Sequence, residues 1–138
     1  MHAAFQAACF AVGLVMRVLL IEDDELVRNT LSETLIGEDI EVAGLANAED
    51  ALILLAAGQV PDVLVTDVDL GPGLNGFDLA EIARARHPEV EVILISGTTP
   101  DPGRKALQRH ERFLQKPFAP DDLAAAIREA GPHDQVGP

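Results

Sequence analysis

Apolar positions in this chain fall into short closed runs, and most runs lead into a stretch with helical spacing. Val18–Ile21 is the first run, ended by four consecutive acids, Glu22-Asp23-Asp24-Glu25. Leu31 and Leu35, four apart among polar positions, then predict a helix that Gly37 should stop. Glu41–Ala46 predicts a weak second strand. Asn47 reads as an N-cap ahead of the Ala/Leu-rich Ala48–Ala57, which Gly58 terminates. Val63–Thr66 predicts a third, buried strand ending at Asp67. A Gly/Pro loop over Leu70–Gly76 precedes a helix from Phe77 to His87, with Pro88 as its stop. Glu91–Ile95 and Arg112–Gln115 predict strands four and five, and Asp121–Ala130 a closing helix before Gly131-Pro132. Between those last two strands, Pro100, Pro102 and Gly103 break the pattern and leave only Arg104–Arg109 for a helix.

Short, nearly uniform apolar strands alternating with helices indicate a parallel sheet covered on both faces. The expectation is a single doubly wound α/β domain over residues 16–130 with a five-stranded parallel sheet. Right-handed crossovers and a reversal of direction after the first strand favour the order 2-1-3-4-5, with the fourth helix shortened or irregular. Residues 1–15 are apolar without Lys or Arg; they lack the positive start of a secretory signal and are too short before Arg17 to span a membrane. They read as an extension ahead of the domain, the alternative being a short apolar helix packed on the domain or a partner. Residues 131–138 read as a tail.

Composition narrows the function. A chain of 138 residues is the size of one domain, and ten Lys+Arg against 23 Asp+Glu give a net charge of −13. Such a surface repels phosphate backbones and anionic lipid, so nucleic acid and membrane are not expected partners. The single cysteine, Cys9, excludes an internal disulfide and suits a reducing cytoplasm. The acidity is uneven: residues 16–83 carry 15 acids and two bases, whereas residues 84–138 carry eight of each. That asymmetry suggests a cation site on one side and a protein-docking surface on the other.

In an open parallel sheet, ligands sit beyond the carboxyl ends of the strands near the switch point. Strand one ends in Glu22-Asp23-Asp24, strand three in Asp67, strand four in Ser96-Gly97 and strand five in Lys116-Pro117. Strands one and three should lie about 4.8 Å apart, bringing Asp23, Asp24 and Asp67 into one pocket. Carboxylates so close raise one another's pKa unless a cation shares the site, and Mg²⁺ suits oxygen ligands while leaving room for a phosphoryl oxygen. Lys116 and the Ser96 hydroxyl, facing that pocket, complete an arrangement suited to aspartyl phosphoryl transfer. Each residue alone has a plainer reading: acids ahead of a helix complement its dipole, Asp67 and Ser96 suit turns, and a lysine is usually solvated. His2, His87, His110 and His133 lie on unrelated segments and suggest no metal cluster.

The segments LLIEDDELVR, LVTDVDL, NGFDLA, ILISG and FLQKPF, in that order at the strand ends, resemble the receiver domain of two-component response regulators across residues 16–130. The resemblance implies a flavodoxin-like fold and a role in phosphorelay signalling. It implies Asp67 as phosphoacceptor, with a sensor histidine kinase or histidine phosphotransfer protein as donor. Asp23 and Asp24 become the Mg²⁺ carboxylates with the Asp69 carbonyl as a further ligand, Lys116 and Ser96 the phosphoryl-binding pair, and Phe113 the switch aromatic beside Ser96. It further implies a cis Lys116-Pro117 bond. The chain would be no enzyme in the ordinary sense, but a cytoplasmic phosphoacceptor assisting its own transfer and dephosphorylation and acting on a downstream protein in trans. Against the family's common form, the loop from Asp67 to Gly76 is one residue longer, and the segment after strand four is proline-broken.

Two other classes fit parts of the pattern. Asp67-Val68-Asp69 at a strand end suits a haloacid-dehalogenase-like phosphatase, with Asp67 as nucleophile and Asp69 as acid/base. A receiver-like module that docks without taking phosphate is the other.

Overall fold

The computed structural model describes residues 15–97 and 109–131. The expectations placed on residues 1–14, on most of the short helix at Arg104–Arg109 and on residues 132–138 lie outside the described residues. The element order is β1 (Arg17–Ile21), α1 (Glu25–Gly37), β2 (Glu41–Leu45), α2 (Ala48–Ala56), β3 (Val63–Asp67), α3 (Gly76–Arg86), β4 (Glu91–Ser96), β5 (Glu111–Gln115) and α4 (Pro120–Ala130). The strands form one sheet in the order β2-β1-β3-β4-β5, parallel throughout.

Two-residue periodicity splits the strand side chains between two cores. Leu19, Ile21, Leu64, Val92 and Leu94 pack with Ala51 and Leu55 of α2 and Leu79 and Ala83 of α3. Val18, Leu20, Val65, Ile93 and Ile95 pack with Leu31 and Leu35 of α1 and Leu123 and Ile127 of α4. Burial on both faces is why these strands are almost uniformly apolar.

The start of α2 follows the expected capping chemistry, and α3 adds a cap not singled out from the sequence. Asn47 accepts from the Asp50 N–H at 2.8 Å, and Asn75 and Asp78 cap one another at the start of α3. Gly37 is the last residue of α1, as expected, and the left-handed turn residue beyond it is Asp39, with φ of 64°. The amides of Glu38, Asp39 and Ile40 bond back to the Leu35 and Ile36 carbonyls and satisfy the end of the helix.

Candidate functional site

The carboxyl rim of the sheet is tied together by backbone bonds that fix where each side chain starts. Glu22 N–H donates to the Leu45 carbonyl at 2.9 Å, while Arg28 of α1 reaches back to the Glu22 carbonyl at 2.7 Å. Val68 N–H donates to the Ile95 carbonyl and Lys116 N–H to the Ser96 carbonyl, each at 2.8 Å. Thr66 Oγ1 donates to the Asp67 carbonyl at 2.9 Å. Gly76 closes the loop after β3 by donating to the Val68 carbonyl at 2.9 Å. It approaches so tightly that a Cβ there would lie 2.3 Å from the Asp67 carbonyl oxygen.

On this frame, Glu22, Asp23 and Asp67 each present a carboxylate oxygen, all within 4.8 Å of one another. Asp67 is buried, with Oδ1 accepting from the Asp69 N–H at 3.1 Å and Oδ2 paired to Lys116 Nζ at 2.8 Å. Lys116 Nζ also lies 3.8 Å from Glu22 Oε1. Burial pushes the Glu22 carboxyl up to about 7; the Asp24 amide and Lys116 oppose that rise, while Asp67 and Asp23 add to it. At Lys116, partial burial acts to lower the pKa, but the hydrogen bond and charge of Asp67, with Glu22 and Asp23 behind them, raise it on balance. The ammonium is therefore held charged against a carboxylate cluster in which Glu22 is driven toward its neutral form. A hard divalent cation relieves that conflict, because oxygen donors at this spacing are its preferred ligands.

The structure brings together Asp23, Asp67 and Lys116 as the sequence suggests, but it puts Glu22 in the place given to Asp24. The Asp24 side chain caps α1, with Oδ1 accepting from the Val27 N–H at 3.1 Å. Sequence reasoning missed Glu22, although the signal was available: an Asp immediately before a helix is a strong N-cap, which leaves the two preceding acids for the rim. Asp69 is exposed, and its contact with Asp67 runs through its backbone N–H; its side chain is no member of the carboxylate cluster. Ser96 is buried at the end of β4, one residue past the Asp67 partner Ile95, and is joined to Lys116 through the backbone. Phe113 is half-buried on β5 against the core beneath α2 and α3. The Lys116-Pro117 bond is cis.

A groove of about 810 Å³ opens at the opposite end of the sheet, with Asp62, His87, Glu91 and His110 in its wall. None of the three clustered carboxylates lines it. The carboxyl rim remains the functional candidate, since in parallel α/β sheets the strand ends and helix N-termini converge there.

The sequence model of the response regulator receiver domain matches residues 18–128. The chain belongs to that family. The DNA-binding transcriptional regulator NtrC from Salmonella typhimurium is 31% identical over 120 residues, 86% of this chain and 25% of that protein. The C4-dicarboxylate transport transcriptional regulatory protein DctD from Pseudomonas aeruginosa is 34% identical over 116 residues, 83% of this chain and 25% of that protein. The chain thus spans about a quarter of the length of these curated relatives. Among solved structures, a response regulator receiver domain protein from Clostridium thermocellum superposes with a TM-score of 0.75 at 25% identity, covering 84% of this chain and 94% of that one. The receiver fold and its kinship with two-component response regulators are therefore established. The haloacid-dehalogenase reading loses its footing, because the side chain of its acid/base, Asp69, is exposed and outside the carboxylate cluster, and the family is a different one. Among the described residues, no helix is long and apolar enough to cross a membrane.

Proposed function

We propose that this receiver takes a phosphoryl group onto Asp67 from a phosphohistidine of a sensor kinase or histidine phosphotransfer protein in the cytoplasm. The phosphorylated domain then acts on a downstream partner. The observation that carries the reading is the Asp67 carboxylate held 2.8 Å from Lys116 Nζ within a cluster of two further acids. A carboxylate oxygen of Asp67 attacks phosphorus; the phosphorus–nitrogen bond breaks, and its electron pair goes to the imidazole nitrogen. Lys116 exchanges its carboxylate partner for a phosphoryl oxygen, and the Ser96 hydroxyl donates to the same group. Asp23, Asp67 and Glu22 would hold Mg²⁺, which would neutralise the charge that collects there. Phe113, opposite Leu94 two residues before Ser96 in the register, is the side chain set to follow the hydroxyl. The chain's acidic excess favours a protein target over nucleic acid.

The test is labelling with acetyl phosphate and Mg²⁺. The wild-type chain should form an acid-stable, base-labile acyl phosphate, and Asp67→Asn should not. Label persisting in Asp67→Asn would move the acceptor elsewhere. A wild type that takes no label, and whose NMR spectrum beryllofluoride with Mg²⁺ leaves unchanged, would favour docking without phosphorylation.

A further inference from the structure

The loop between β3 and α3 crosses the rim beside the acidic cluster, and one contact outside that cluster holds it there. Its ends are fixed at Asp67, through the Asp69 amide on one side and the close approach of Gly76 on the other. Leu70 is buried in the core beneath α2 and α3. Beyond Leu70 the chain turns through Gly71 and Gly73, with φ of 78° and 97°, both in the left-handed region that favours glycine. A Cβ built on Gly71 would lie 3.8 Å from Asp23 Oδ2, so this backbone runs against a carboxylate of the cluster. At the loop's far side, the Leu74 N–H donates to Glu49 Oε2 at 3.0 Å. The same oxygen would stand 2.7 Å from a Cβ on Gly73. The bare glycine is thus the space into which the Glu49 side chain fits.

We infer that Glu49, on the first turn of α2, is a positioning residue for the phosphoryl-transfer site. It latches the β3–α3 loop so that the Gly71 backbone stays packed beside the Asp23 carboxylate. The inference rests on the reading of Asp67 as phosphoacceptor and extends it to an element outside the acidic cluster. Because the latch is a charged acceptor on a backbone amide, it is stronger than a neutral hydrogen bond, yet exposure leaves it modest. Its loss should free the loop without unfolding the domain.

The full chain carries the test in three variants. In Glu49→Ala, hydrogen-exchange protection of the Leu74 amide should fall about fivefold and the Mg²⁺ dissociation constant should rise by a similar factor. Glu49→Gln keeps an acceptor of the same reach and should stay within about twofold of wild type for both. Asp50→Asn removes a charge from the same helix turn without touching the loop and should change neither. Unchanged Leu74 protection or unchanged Mg²⁺ affinity in Glu49→Ala overturns the inference. So does a drop in thermal midpoint with Mg²⁺ affinity intact, which marks a merely structural contact. Wild-type failure to form the acyl phosphate, with the loop response intact, instead refutes the phosphoacceptor reading and with it the role given to Glu49.

Discussion

Replacing Glu22 with glutamine separates what the acidic rim does for stability from what it does for cation binding. Glu22 is 3% exposed, and burial, reinforced by Asp67 and Asp23, raises its carboxyl from 4.5 to about 7. Between those values the folded chain holds a proton that the unfolded chain has released. Stability from this group is therefore lost as pH rises, and the full cost is present only above the folded value. For a shift of that size the loss between about pH 5 and about pH 8 is roughly 2–3 kcal/mol. Glutamine imitates the neutral carboxyl at every pH and can still accept from the Asp24 amide, which Glu22 Oε2 does at 3.1 Å. Urea unfolding of both proteins in metal-free buffer should show the variant gaining on wild type by that amount across the interval. Groups common to the two proteins cancel in the difference. Saturating Mg²⁺ should reverse the order, because a cation at about a hundred times its dissociation constant adds about 2.7 kcal/mol to the form that binds it. A difference between the two proteins that stays flat with pH would refute the assignment of a raised pKa to Glu22.

Gly76→Ala should destabilise the domain by about 2–3 kcal/mol in urea unfolding, since its Cβ meets backbone atoms of Asp67 and Val68 and not a yielding side chain. Gly37→Ala, with nothing within 4 Å of the new Cβ, should be neutral or stabilise by up to about 1 kcal/mol. Asp24→Ala should cost about 1 kcal/mol of stability through loss of the α1 cap while leaving Mg²⁺ affinity near wild type by titration. A large loss of affinity would return Asp24 to the metal site. Lys116→Met should destabilise the metal-free protein at about pH 8 by roughly 1–3 kcal/mol, because Asp67 and Glu22 lose their cation, and Mg²⁺ should restore much of it.

The sequence on its own determined the layered architecture, for a reason that acts locally. Apolar runs of four or five residues bounded by turn signals and alternating with helices read as strands buried on both faces, and Asn47 and Pro88 punctuate the helices through hydrogen bonds or sterics within a few residues. The rim composition was equally legible, since the strand ends deliver Asp67, Ser96 and Lys116 whichever way the neighbouring side chains turn. What the tertiary structure alone decided is the direction of side chains within runs of like residues. Among the four acids after β1 the only local cue is the N-cap position of Asp24, which the helix starting at Glu25 claims; the Arg28 and Leu45 contacts at Glu22 then hold that residue's backbone at the rim where its side chain is buried. The burial that lifts the Glu22 carboxyl, and the meeting of Glu49 with a loop 25 residues away, likewise arise only when distant segments close on one another. Spacing along the chain carries no record of such contacts, because they depend on the packing of α1 and α2 over a sheet that the chain crosses out of order.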